Sequence, residues 1–437
     1  MPLRPGAKAI VLAVFATASS WAAEAGNAGD LHPPVYADFT PAVVSETRVA
    51  GRKVVRYESE CLRQWSYEEG AGKTPFVVAG PAKETANPPL LVYLHAAGGR
   101  AATYLRPASV EGIRPEFVIL SPDCAQPRGP DGWWGWFWAR KDPVKYAGMY
   151  SPGEHRVLAT IEWVIRTHGV DRNRVYLCGH SMGGSGTLGI GMARGDLFAA
   201  IWVGVPANVD HVWFRMGFPA VKAAEGRSAD DLRKVSGAGL PDAPPVVNFS
   251  SPIDGWAKAQ EDFLKAAQDG RHLMIFCWAP FGHTQDYHTA NPAVLEFPWL
   301  EIRRNEAYPV FTDASTDGRY PGYMVKDKPD QAGQVNGYFR WKNVTDTPAK
   351  FQIELHLVDG KGLKTPVDVP DASVVNVTPR RLQQFKVDAR RTYSWRLTEG
   401  DRTVSAGSVA PDEIGLLTVP RLTITATPRL LTIEPAN

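Results

Sequence analysis

Residues 174–187 read Arg-Val-Tyr-Leu-Cys-Gly-His-Ser-Met-Gly-Gly-Ser-Gly-Thr, an unbroken apolar run that passes directly into a glycine-rich turn. A short apolar run without alternation suits a strand covered on both faces by helices. The turn sets Ser181 between Gly179 and Gly183 as G-x-S-x-G, with a helix expected to open just beyond it. An oxygen nucleophile that attacks a carbonyl must stand clear of the chain at a sharp turn. Glycines on either side remove side chains that would collide there, and a following helix N-terminus favours the anion that develops. The competing reading is an ordinary glycine-rich turn in which Ser181 only caps a helix.

Upstream and downstream of this stretch, apolar runs alternate with helical patterns. Arg48–Glu58 and Thr74–Val78 read as opening strands, followed by Leu90–Leu94, Phe117–Leu120, Ala199–Val205, Pro244–Phe249 and His272–Cys277. Helical periodicity is clearest at Glu154–Thr167 (Val157, Leu158, Ile161, Val164, Ile165) and at Ala257–Gln268. The alternation predicts an α/β fold, a doubly wound and mostly parallel sheet with helices on both faces. After about residue 310 the helical period disappears. Eight short β-rich stretches follow: Gly337–Trp341, Phe351–Val358, Val374–Val377, Gln384–Val387, Thr392–Leu397, Thr403–Ser408, Leu422–Ala426 and Leu430–Ile433. Turn signals at Asp359-Gly360 and Glu399-Gly400-Asp401 predict hairpins, and the whole suits a small all-β sandwich of immunoglobulin-like type. The expected organisation is a catalytic domain over 26–310, with 206–243 as a short cap, a linker over 311–328 and the β-sandwich over 329–437.

The partners of a serine nucleophile should follow it in the order acid, then histidine. His283 lies in Ala-Pro-Phe-Gly-His, just past the last apolar strand and 102 residues after Ser181. His288 is a rival further from the strand, His272 precedes that strand, His211 comes too early and His180 should point away from Ser181. Asp254 follows the strand Pro244–Phe249 and precedes His283 by 29 residues, where it would orient the imidazole. Asp210 is the alternative acid, while Asp262 and Asp269 fall on a helix. The oxyanion hole needs two backbone donors. Met182 supplies one, and Ala96 and Ala97, in the loop His95-Ala-Ala-Gly-Gly99, are named jointly for the other. Asp131-Gly-Trp-Trp-Gly-Trp-Phe-Trp-Ala-Arg140 is dense in large rings. Trp133, Trp134, Trp136 and Trp138, with Trp213 and Trp256, either form a substrate platform or anchor a loop by burial.

Composition narrows the classes further. The 437 residues exceed one comfortable core, and 44% hydrophobic with 22% charged residues is ordinary globular chemistry. A net charge of +2, dispersed along the chain, offers no field for nucleic acid or an anionic membrane. Arg4 and Lys8 precede an apolar stretch from Ala9 to about Ala18, then small residues around Ser20-Trp-Ala22 and Ala23-Glu-Ala25. That layout predicts a signal peptide over 1–25 and a secreted or periplasmic protein, a membrane anchor being the competing reading. Of the four cysteines, Cys178 and Cys277 end buried strands, and Cys61 and Cys124 are the better candidates for a bridge. No P-loop, His-Glu-x-x-His motif or Cys/His ligand cluster is present, so neither a metal nor a cofactor is expected.

Taken together, Leu-Val-Tyr-Leu-His-Ala-Ala-Gly-Gly (91–99), the stretch 174–187, the Asp254 loop and Phe-Gly-His (281–283) resemble the α/β-hydrolase superfamily. The likeness within it is to secreted esterases of the polyhydroxyalkanoate depolymerase and feruloyl esterase type and to prolyl-oligopeptidase-like hydrolases. It spans about residues 48–300, and Ala96 departs from the glycine of the esterase H-G-x-G-G pattern. The resemblance implies a serine carboxylic ester hydrolase working through Ser181, His283, Asp254 and an acyl-enzyme, on a small ester or a polymer side group. The alternatives are a prolyl-oligopeptidase-like peptidase, for which residues 26–90 are too few to build a propeller, and a binding protein whose β-rich part does the work.

Overall fold

Six apolar runs of the sequence lie side by side and parallel at the centre of a ten-stranded sheet. They belong to a computed structural model that describes residues 39–60, 73–105, 110–126, 129–130, 132–133, 152–192, 194–207, 209, 242–284, 286–324 and 332–436. In chain order the strands and α-helices begin with β1 (Ala42–Val49), β2 (Arg52–Glu60), β3 (Lys73–Ala79), β4 (Leu90–Leu94) and β5 (Val118–Pro122). The short pair β6 (Ala125–Gln126) and β7 (Gly129–Pro130) precedes α1 (Pro152–His168), β8 (Val175–His180), α2 (Met182–Gly191) and β9 (Ala200–Gly204). Next come β10 (Val246–Ser250), α3 (Gln260–Asp269), β11 (Met274–Trp278) and α4 (Pro292–Leu295). The sheet order is β1-β2-β3-β5-β4-β8-β9-β10-β11-β13, where β13 is Gly333–Val335. Strands β5, β4, β8, β9, β10 and β11 run parallel, with antiparallel strands added at both edges.

Burial explains why these runs carry no alternation. Every residue of β5, β8, β10 and β11 is buried, as a strand covered on both faces requires. Helix α1 supplies part of the cover by turning Val157, Leu158, Ile161, Val164 and Ile165 inward, all of them buried. Because the six central strands are parallel, their C-terminal ends share one edge of the sheet. The segments beginning at His95, Ser181, Val205, Ser251 and Ala279 all leave from that edge, where open α/β sheets place their sites. One expected strand divides in two. Arg48–Glu58 is interrupted by Ala50 and Gly51, both at positive φ (48° and 76°), which form a two-residue hairpin turn between β1 and β2. An alanine in the first of those positions concealed the turn signal.

The β-rich remainder consists of β12 (Tyr308–Thr312), β13, β14 (Phe339–Asp346), β15 (Phe351–Leu357), β16 (Ala372–Arg380), β17 (Tyr393–Glu399), β18 (Arg402–Val409), β19 (Val419–Thr425) and β20 (Arg429–Pro435). Two antiparallel sheets result, β12-β16-β19 and β14-β15-β20-β17-β18. Glu399-Gly400-Asp401 is the hairpin between β17 and β18, with Gly400 at φ 57°. Asp359-Gly360 is not a hairpin. It begins the crossover from β15 in one sheet to β16 in the other, so its flanking strands never pair. Gln384–Val387 is not a strand either. The amides of Gln383, Gln384 and Phe385 are taken up by the Asp346 carboxylate instead of a neighbouring strand.

Strands cross between the layers. β12 pairs with β16 in the small sheet, whereas the later β13 pairs with β11 in the large one. A single apolar core runs from Val247, Phe249, Ile275 and Cys277 through Phe311, Phe339, Ile353, Leu355, Val377, Leu422 and Leu431. Residues 41–437 are accordingly one compact unit. Two arginines at the end of β16 close the junction. Arg380 pairs with Asp242, and the buried Arg381 donates to the carbonyls of Phe198 and Ala199 with its guanidinium 5.0 Å over the Tyr308 ring. Among the described residues no helix is long and apolar enough to cross a membrane. The expected signal segment 1–25 and Cys61 lie outside the described residues, as does the expected cap apart from 206, 207, 209, 242 and 243.

Replacing Arg381 with Met strands buried carbonyls and should lower unfolding free energy by about 2–4 kcal/mol in urea titration. An unchanged midpoint would show that the junction does not depend on that side chain. His272 is buried with no hydrogen-bond partner at either ring nitrogen among the described residues, and burial, aided by Arg380, brings its pKa down to about 3. The unfolded chain therefore binds this proton first, near its ordinary value of 6.5. Stability present above pH 6.5 should be lost as pH falls from there toward 3. Unfolding free energies of His272→Leu from urea titration should decline less steeply over pH 6.5–4 than those of the wild type, by up to ~1.4 kcal/mol per pH unit. Parallel declines would refute the assignment.

Candidate functional site

Ser181 occupies the turn between β8 and α2 at φ 56°, ψ −120°. A non-glycine residue seldom adopts this backbone, at a cost of order 1–3 kcal/mol. Close packing holds it there. A Cβ at Gly179 would strike the Gly183 carbonyl, and one at Gly183 would strike the carbonyls of Leu94 and His95 at the end of β4. The two glycines thus let the elbow close upon itself and against the neighbouring strand. The Ser181 amide donates to the Gly204 carbonyl at 2.9 Å, and the Ser181 carbonyl accepts from Ser185 at the start of the helix. Its side chain makes no capping hydrogen bond.

The hydroxyl instead meets His283. Ser181 Oγ lies 2.7 Å from His283 Nε2, and His283 Nδ1 lies 2.7 Å from Asp254 Oδ2. A carboxylate only accepts, so Nδ1 carries the hydrogen and Nε2 is left to accept from the serine hydroxyl. The Asp254 side chain is fully buried and spends its other oxygen, Oδ1, on the backbone N–H of Trp256 at 2.8 Å. Both carboxylate oxygens are therefore satisfied, which fixes the ring they hold. A further tie joins the two loops, since the amide of Gly282 donates to Ser251 Oγ at 3.0 Å.

Four of the described rivals lie elsewhere. His288 is exposed and paired with Asp286, and His272 is buried at the far end of β11. Asp262 is in the first turn of α3 and Asp269 pairs with Lys265. Asp210 and His211 fall outside the described residues. His180 does more than pack. Its Nδ1 is 2.8 Å from the hydroxyl of Tyr287, four residues beyond His283, and its ring centroid is 5.7 Å from that of His283. Burial, with His283 alongside, brings its pKa down to about 4 against the opposing pull of Asp254. It stays neutral near pH 7 and puts no second charge beside His283. Neither Tyr287 nor Ser251 carries a signal in the sequence, because both act through contacts that only the fold creates.

Met182 opens α2, so its N–H is among the unpaired donors of that helix's first turn. Ala96 and Ala97 leave the end of β4, against which Gly183 packs. The peptides around them are pinned. His95 Nδ1–H and the Gly99 amide both donate to the Ala96 carbonyl, and the Cys124 amide donates to His95 Nε2. Trp133 Nε1–H donates to the His95 carbonyl at 2.9 Å, which turns the Ala96 N–H the opposite way across the same planar peptide. Trp133 was expected among substrate-contacting rings, but it is 1% exposed, at φ 72°, edge-on to His95 and seated over Gly186 of α2. It wedges the β4 loop against the elbow helix. Trp256 is exposed, whereas Trp134, Trp136, Trp138 and Trp213 lie outside the described residues. Among the described residues no group of three or more His, Cys, Asp or Glu is arranged to hold a metal ion.

No family model matches the chain, and no curated protein does either. Solved structures to which it is similar include an acetyl xylan esterase from Aspergillus awamori, at 14% identity over 52% of this chain and 94% of that one, TM-score 0.38. An S-formylglutathione hydrolase from Agrobacterium tumefaciens matches at 17% identity over 55% and 92%, TM-score 0.37. A ferulic acid esterase from Anaeromyces mucronatus matches at 17% over 58% and 90%, TM-score 0.38. These neighbours are esterases and serine hydrolases.

Trp133→Phe keeps a six-membered aromatic ring but removes the pyrrole half of the indole and with it the donor to His95. Thermal unfolding should show a loss of about 1–3 kcal/mol, the cost of a buried carbonyl left unpaired. A variant as stable as the wild type would mean that the indole N–H does not hold this loop.

Proposed function

We propose that the protein is a serine hydrolase of carboxylic esters, with Ser181 as nucleophile, His283 as general base and acid, and Asp254 as the group that orients the imidazole. The observation that carries this reading is the chain of two 2.7 Å hydrogen bonds from Ser181 Oγ through His283 to a buried carboxylate, anchored on a serine held at positive φ. A serine that merely capped α2 would turn its oxygen to the helix amides.

In the proposed sequence, Ser181 Oγ attacks the ester carbonyl as its proton passes to His283 Nε2, and Asp254 stabilises the imidazolium that forms. The N–H of Met182 and one from the Ala96–Ala97 segment receive the oxyanion. Collapse of the tetrahedral species expels the alcohol, which takes the proton from Nε2. Water then attacks the acyl-enzyme with His283 again as base, and the acid leaves. Every step uses protein groups and water, so no cofactor enters. We further infer that the enzyme is exported, on the strength of residues 1–25, and that its two antiparallel sheets are an immunoglobulin-like sandwich.

Hydrolysis of p-nitrophenyl acetate tests the reading. Ser181→Ala should lower kcat by about 10⁴-fold or more and Asp254→Asn by about 10³–10⁴-fold. Wild-type and Ser181→Ala rates that coincide would sink the assignment, and cleavage confined to peptide amides would replace esterase by peptidase.

A further inference from the structure

The loop that carries His283 is fastened on both sides of the imidazole. Upstream, the Gly282 amide donates to Ser251 Oγ on the loop of the acid. Downstream, Tyr287 reaches the nucleophile's side of the site. Its ring packs among Trp202, Phe249 and Phe281, with centroids 5.7, 5.2 and 5.2 Å away, and its backbone carbonyl accepts from the amide of the buried Ala290. The hydroxyl lies 2.8 Å from Nδ1 of His180, the residue before Ser181. It also lies over Gly204, where an added Cβ would strike it. Gly204 is the residue whose carbonyl accepts from the Ser181 amide. One oxygen on the loop of the base thus rests against the covalent neighbour of the nucleophile and against its hydrogen-bond partner.

The direct bond between His283 and Ser181 does not last through the proposed reaction. When Oγ attacks, it forms its bond to the acyl carbon, its proton passes to Nε2, and the alcohol leaves with that proton. The acyl-enzyme has no hydrogen on Oγ, so Nε2 has lost the donor that held it at 2.7 Å. His283, whose side chain is 29% exposed, must nonetheless stay in place to take a proton from water. Asp254 and the Gly282 tie hold it toward the acid, and Tyr287 holds it toward the elbow. A misplacement of about 1 Å can cost about 10²-fold in rate. We propose that Tyr287 is the positioning residue for His283 in the acyl-enzyme, its hydroxyl keeping the loop of the base against His180 and Gly204 while the serine is esterified. This rests on the serine esterase reading above and concerns the second half of that reaction.

Stopped-flow hydrolysis of p-nitrophenyl acetate tests it, because the first rapid release of p-nitrophenol follows acylation and the steady release follows breakdown of the acyl-enzyme. Tyr287→Phe keeps the ring and removes the hydroxyl. It should slow breakdown about tenfold, the net worth of one hydrogen bond, and leave kcat/KM, which reports acylation, within about twofold of the wild type. His288→Ala, exposed on the same loop, should change neither. Gly204→Ala drives a Cβ into the hydroxyl and should slow breakdown by itself. In the double variant Gly204→Ala/Tyr287→Phe the struck atom is gone, so breakdown should run close to the rate of Tyr287→Phe alone. Losses that simply multiply in the double variant would count against the contact. Wild-type breakdown in Tyr287→Phe, or an equal fall in kcat/KM, would overturn the positioning role, and the esterase reading would stand as long as wild-type hydrolysis depends on Ser181. If it does not, both fall together.

Discussion

The rest of the structure is arranged around one strained residue. Ser181 sits at positive φ where β8 turns into α2, a backbone that no local interaction of its own would maintain. It persists because Gly183 lies against the carbonyls of Leu94 and His95, because Gly179 lies against Gly183, and because the serine amide is held by Gly204 on the far side. Three adjacent parallel strands, β4, β8 and β9, must therefore be in register before the hydroxyl can stand clear. Strain of order 1–3 kcal/mol is small against the burial of those strands, so the sheet can carry it. The elbow is a property of the sheet, expressed at one residue.

The same economy governs the partners. His283 and Asp254 lie on separate loops, each leaving a parallel strand at the edge from which Ser181 emerges. Their approach is set by the strand spacing and trimmed by hydrogen bonds to side chains: Trp256 N–H to Asp254, Gly282 N–H to Ser251, and the Tyr287 hydroxyl with His180 Nδ1. The far side of the elbow is closed by Trp133, whose indole N–H and ring bind the His95 loop to α2. The β-rich part is not an appendage to this arrangement. It shares the core next to β10 and β11, exchanges strands with the large sheet, and sends Arg381 to the carbonyls of Phe198 and Ala199 before β9.

Much of this was legible in the amino-acid order because local rules are strong where the chain is buried. Unbroken apolar runs such as Leu90–Leu94 mean strands covered on both faces, and a glycine on each side of Ser181 means a turn too tight for side chains. Chain order selected Asp254 and His283 for the same reason, since a parallel sheet delivers every strand end to one edge. Two turns escape the local rules in opposite ways. Ala50-Gly51 turns the chain without a recognised turn residue at its first position, and Asp359-Gly360 has hairpin composition but joins strands of different sheets.

The sequence alone therefore singled out three residues that the fold brings within hydrogen-bonding reach: a serine at a glycine-lined elbow, then an aspartate and a histidine each just past a strand. Covalent neighbours and hydrophobic period suffice for that, because both are written within a few residues of each other. Only the tertiary structure decided which of the described large rings is buried and which is exposed. Trp133 and Trp256 are equally aromatic on paper, yet one is sealed beneath the elbow with its N–H spent on a carbonyl and the other is left in water beside the acid. Burial depends on which distant segments arrive to cover a side chain, and that is settled by packing across the whole fold.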